Sequence, residues 1–153
     1  MKRNEIKLYT PITVDGRTMV PGNFNLKEFE NKNGFVMVHP SVLVSLELTR
    51  HALQEMTGSE CSIIITCGTR TEAENEALGK RYGWIDEGGT VSRVSRHLSQ
   101  CGGIAVDMKA VYTKNKRKVS QRKLGEAARR YFDYVKDDYA DGHVHADNRS
   151  QKP

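Results

Sequence analysis

The stretch "SRHLSQCGGIAVDM", Ser95–Met108, sets His97 and Asp107 ten positions apart across a turn of small residues. Its second half, "GIAVDM", alternates as a strand does, with Ile104 and Val106 on one face and Ala105 and Asp107 on the other. An aspartate there marks the second face as something other than plain core. Further on, "DGHVHAD", Asp141–Asp147, contains a second strand pattern, "GHVHA", whose His143 and His145 share a face.

Around these two strands the other elements read in order. The opening "EIKLYTPITV" reads as a strand or extended arm, and in "NFNLKEFE" Asn25 caps a short helical turn. Pro40 sits where helices begin, Gly58 where they stop, and Leu43, Leu46, Arg50 and Leu53 lie near one stripe between them. "CSIIIT" is a β-branched run that reads as a buried strand. Thr71 with Glu74 three residues later forms a capping-box pattern, which predicts a helix over about 71–80 and places Arg70 at the turn before it. Such turns project from the end of a sheet and are common sites of ligand contact. In "SQRKLGEAARRYFDYVKDD", Leu124, Ala127, Ala128, Phe132 and Val135 recur at helical spacing. Strands separated by helices without regular βαβ alternation predict an α+β fold, with a central, mainly antiparallel sheet and flanking helices. No linker or repeat divides residues 1–153, so one domain is expected.

A chain of 153 residues is long enough to bury a core unaided, so a metal, if held, is expected to serve function. The first twenty residues contain no unbroken apolar run, which predicts neither signal peptide nor membrane span; synthesis in the cytoplasm is expected. Cys61, Cys67 and Cys101 are an odd set and are read as reduced thiols; Cys61 and Cys67, flanking "SIIIT", are favoured as small core residues over a metal-binding pair. The net charge of +5 suits any polyanion, nucleic acid or anionic wall polymer alike. The densest basic run, "KNKRKVSQRK", lacks an aromatic to stack on a base, so a solvated loop and helix start is favoured over a nucleic-acid site.

Zinc accepts imidazole nitrogen and carboxylate oxygen, and its catalytic sites use three protein ligands with a fourth position open. His97, Asp107 and His145 would supply such a set. Each alone reads more readily as a surface polar residue; their shared strand faces make the combination less accidental.

"SRHLSQCGGIAVDM" resembles the Ser-x-His…Gly-x-Ala-x-Asp motif of the zinc D-alanyl-D-alanine and L-alanyl-D-glutamate peptidases, which share a fold with the hedgehog signalling domain. "ITCGTRTEAEN" is similar to that family's Ser-Gly-x-Arg-(Ser/Thr)…Asn segment, and "GHVHADNR" to its closing His-bearing strand. "NFNLKEFE" resembles the opening of the phage and bacterial branch, so the likeness spans about 23–149. The resemblance implies a hedgehog/DD-peptidase-like fold and zinc held by His97, Asp107 and His145. It also implies that His143 assists the transition state, that Arg70 holds a substrate carboxylate or carbonyl, and that Ser95 fills the motif's serine position.

Two features depart from the family. Nine residues separate His97 from Asp107 where the family usually has six, with "SQCG" lengthening the turn. Gly142 stands three before His145, where carboxypeptidase members carry an acidic general base; Asp141 or His143 is left for that task.

The implied function is zinc-dependent hydrolysis of amide bonds in peptidoglycan stem peptides, as a D,D-carboxypeptidase or endopeptidase of endolysin type. The expected partner is the peptidoglycan peptide, with neither membrane nor nucleic acid involved and the chain monomeric. Without an export signal, the wall is reached only after release, by phage lysis or non-classical export. Two alternatives remain: iron held by the same two histidines and carboxylate, as in oxygenases, and a non-catalytic module binding wall peptide or a phage structural partner.

Overall fold

The computed structural model describes residues 12–14, 17–19, 23–24 and 26–151. The arm expected at the amino terminus falls largely outside them, as does Asn25. Strands β1 (Ile12–Val14) and β2 (Arg17–Met19) form a two-stranded antiparallel ladder, and a 3-10 turn follows at Leu26–Phe29.

Helix α1 (Pro40–Thr57) starts and stops on the expected punctuation. Pro40 opens it behind His39, whose Nδ1 accepts from the Ser41 amide at 3.1 Å. Gly58 closes it in the left-handed region at φ 67°. Its buried stripe is Val42, Leu46, Thr49 and Leu53; Arg50 stands at the edge, with its guanidinium 3.7 Å from Glu60. Strand β3 (Cys61–Cys67) leads through Arg70 into α2 (Glu72–Tyr82), where the capping box forms: Thr71 Oγ1 accepts from the Glu74 amide at 3.3 Å and Glu74 Oε2 from the Thr71 amide at 2.8 Å.

Strand β4 (Ala105–Tyr112) and helix α3 (Gln121–Arg129) come next, and the basic stretch 114–118 between them is exposed, as a solvated loop should be. Helix α3 ends well before its apolar spacing does. The Arg130 amide closes it onto Ala127 and Ala128, and the chain turns to form a short strand, β5 (Tyr134–Lys136). The helical reading of Val135 is thereby corrected: β6 (Val144–Asp147) has an open edge, and the β-favouring Tyr134 and Val135 pair there with Asp147 and Ala146.

The sheet has the order β3-β4-β6-β5 with every pair antiparallel, and the three helices make the fold α+β, as expected. Its two faces have different jobs. Ile63, Val106, Met108, Ala110, Val144 and Ala146 point toward Leu46 and Leu53 of α1 and Leu124, Ala127 and Ala128 of α3, and these side chains form the main core. At about 25 cal/mol per Å² of apolar area removed from water, each such Val, Ile or Leu contributes on the order of 1.5–3 kcal/mol. On the other face the register sets Asp107 opposite His145 and Ala105 opposite Asp147. Among the described residues no helix is long and apolar enough to cross a membrane.

Candidate metal centre

Three elements bring the motif residues together on the open face. Asp107 rises from β4 and His145 from its direct partner position on β6. His97 arrives on the loop after α2, and that loop is pinned to the end of β3: the Arg70 amide donates to the His97 carbonyl at 2.6 Å and the Ser99 amide to the Arg70 carbonyl at 2.8 Å. Ser95 has a local structural role, since its hydroxyl accepts from the His97 amide at 3.2 Å. The long turn between His97 and Asp107 is absorbed by a 3-10 turn at Ser99–Cys101, capped by left-handed Gly102, and leaves β4 in register. Gly103 has φ 75° and lies so close to Met37 that a Cβ would come within 2.6 Å of its carbonyl oxygen, so glycine is required there.

The three ligand atoms make a nearly equilateral triangle. His97 Nε2 is 3.0 Å from Asp107 Oδ1, His145 Nδ1 is 3.1 Å from the same oxygen, and the two nitrogens are 3.1 Å apart. The outer nitrogens are already committed. His97 Nδ1 donates to the Gly68 carbonyl at 2.8 Å, and His145 Nε2 donates to Asp147 Oδ2 at 2.8 Å. Asp147 is fully buried and braced by Arg149, whose Nε and Nη2 donate to its two oxygens at 2.9 and 2.8 Å. Those partners fix both ring tautomers, so each neutral imidazole turns a lone pair toward a carboxylate oxygen. Three acceptors converging at this spacing require a cation or a proton among them. Outer partners of this kind, a carbonyl and a carboxylate, are those that orient histidine ligands of metals. The residues present could therefore hold a metal ion.

The electrostatics agree. Burial opposes charge on His97, yet hydrogen bonding with Asp107 and Cys67 outweighs it and pushes the imidazole up to about 10. Burial likewise works against ionised Asp107, but hydrogen bonds from His145 and His97 in their protonated forms hold its carboxyl far below the usual range. Asp147 is held down to about 2: burial again acts the other way and is overcome by Arg149 and His145.

The catalytic candidates lie around this triangle. His143 precedes β6 instead of belonging to it, but its Nε2 still comes within 3.7 Å of Asp107 Oδ2. Its Nδ1 meets Asp141 Oδ1 at 2.5 Å, and Tyr139 stacks on the ring with centroids 4.0 Å apart. Arg70 sits at the strand-to-helix turn, where its Nη1 donates to Asn75 Oδ1 at 2.9 Å while Asn75 donates to the Ser92 carbonyl at 3.0 Å. All of these except Asn75 line one cleft of about 760 Å³, which also holds Arg96, Lys136 and Tyr134.

Four contributors stand inside the matched stretches "ITCGTRTEAEN" and "GHVHADNR" without a role assigned from the sequence: Cys67, Asn75, Asp147 and Arg149. Asp147 was within reach of the alternation that pairs His143 with His145, since it lies two residues on. Cys67 is a correction. Of the two thiols flanking "SIIIT", Cys61 is in the core, whereas Cys67 is half-buried and stands beside His97 and Asp107, in a group of three side chains able to hold a metal ion. No protein-family model matches the chain, and no curated protein is significantly similar to it.

Proposed function

We propose that this chain is a zinc-dependent peptidase of the hedgehog/DD-peptidase type that hydrolyses amide bonds in peptidoglycan stem peptides or cross-links. The observation that carries the reading is the triangle of acceptor atoms from His97, Asp107 and His145, whose outer nitrogens are fixed by Gly68 and Asp147. His97, Asp107 and His145 would hold a zinc ion, which would supply Lewis-acid chemistry for a carbonyl and for water.

The chain's own residues do the remaining work. His143 takes a proton at Nε2, because its Nδ1 is bound to Asp141, and Tyr139 keeps the ring plane fixed. Asp141 acts through His143 by orienting it, which answers the missing carboxylate at Gly142. Arg70, held by Asn75, presents its guanidinium to a substrate carboxylate or to the negative charge developing on the carbonyl oxygen.

Purified peptidoglycan incubated with the protein should release new muropeptides, detected by mass spectrometry, and a chelator should stop their release. Their masses identify which bond is cut. Gly142 in place of an acidic side chain favours a second reading, a wall-peptide binding module. Binding to peptidoglycan with no release of muropeptides would establish it.

A further inference from the structure

Cys67 is on the wrong face for its place in the sequence. Along β3, Cys61, Ile63 and Ile65 pair with Tyr112, Ala110 and Met108, and alternation would send Cys67 into the same core. The register shifts between Ile65 and Cys67, leaving Thr66 as the extra residue and setting Cys67 directly opposite Asp107. The thiol thereby joins a single row across the sheet, Cys67, Asp107 and His145, with side chains on one face.

The Cys67 sulfur, the His97 nitrogen and the Asp107 oxygen all lie within 4.8 Å of one another. The sulfur has only long hydrogen bonds elsewhere, to the Gly68 carbonyl at 3.5 Å and from Arg70 Nη2 at 3.9 Å. Neither would hold it back from a metal. Zinc-sulfur bonds of about 2.3 Å and zinc-nitrogen bonds of about 2.0 Å put tetrahedral sulfur and nitrogen ligands about 3.5 Å apart. A change of about an ångström closes that gap, within reach of a side-chain adjustment.

We propose that Cys67 is an exchangeable fourth ligand of the metal at His97, Asp107 and His145, closing the coordination position that the reaction needs open. This rests on the metal site argued above and adds its regulation. On ligation the thiol releases one proton to solvent, and nothing is oxidised or reduced. A thiolate among the ligands also selects borderline and soft ions such as zinc over magnesium or calcium.

Cobalt(II) titrated into the full chain under reducing conditions tests it. The expected spectrum has the visible bands of a tetrahedral site together with a near-ultraviolet sulfur-to-cobalt charge-transfer band. Cys67→Ser and Cys67→Ala should keep the visible bands, lose the charge-transfer band and bind cobalt more weakly. Stoichiometric cobalt binding by the unaltered chain with no charge-transfer band, or a band that survives in both variants, overturns the proposal and leaves the three-ligand site standing. Failure to bind cobalt at all overturns the metal site and the proposal together.

Discussion

His97 Nε2 and His145 Nδ1 face each other at 3.1 Å, each with its opposite nitrogen already donating to a fixed acceptor. Two imidazoles so arranged cannot relieve one another, because neither tautomer is free to change without losing a buried hydrogen bond. The geometry costs free energy without a positive charge in the middle and returns it when one arrives.

Asp147 should matter to metal affinity although it touches no metal. Asp147→Asn leaves a side chain of similar shape but weakens the acceptor that orients His145 and pairs with Arg149. Zinc affinity, measured against a competing chromophoric chelator, should fall about ten- to a hundredfold. Unchanged affinity would mean that Asp147 serves only to pair with Arg149.

His143 and Asp141 should separate from the ligands. His143→Ala should keep zinc and lose turnover by about a hundred- to ten-thousandfold, the range of one acid/base group. Asp141→Asn should cost less, because the imidazole remains. If Asp141→Asn abolishes turnover while His143→Ala does not, the carboxylate is the base and the roles are reversed.

Arg70→Ala tests a substrate contact against a structural one. The substitution removes the donor to Asn75 Oδ1 at a cleft wall that water can reach. The expected loss of stability is about 1 kcal/mol, or about 2–4 °C in Tm. Activity should fall by much more. A large drop in Tm with activity per folded molecule retained would identify a structural arginine.

Metal affinity should fall with acid. In the metal-free chain, hydrogen bonding with Asp107 and Cys67 overrides burial and holds His97 at about 10, so near neutral pH the ring carries a proton that the metal must displace. Binding should release at least one proton, and affinity should rise with pH until His97 loses its proton in the metal-free chain, at about pH 10. Calorimetry in two buffers of different ionisation enthalpy reads the proton count; no release would contradict the assignment of His97 as a ligand.

Much of the fold, and the meeting of His97, Asp107 and His145 at one place, was legible because local signals agreed with tertiary need. Pro40 and Gly58 bracket α1, Thr71 and Glu74 cap α2, and period-two alternation puts Asp107 and His145 on the same face of the sheet. Helix α3 misleads because Phe132 and Val135 continue its spacing, while the demand that ends it comes from the unpaired edge of β6, far away in sequence. The Cys67 face was hidden for a related reason. A bulge adds one residue to a strand without changing the apolar pattern, and the shift at Thr66 becomes visible only when β4 is laid beside it. Asn75 stands at the asparagine position of "ITCGTRTEAEN", but its task is readable only from its buried amide, which bridges Arg70 to Ser92.

The most direct test of the central claim is the zinc content of the folded chain, measured by elemental analysis after zinc is supplied at neutral pH and excess metal is removed. Close to one zinc per chain is expected, with His145→Ala losing it and His143→Ala keeping it. A folded, unaltered chain that holds no zinc, or a His145→Ala chain that holds as much as the unaltered one, would contradict it.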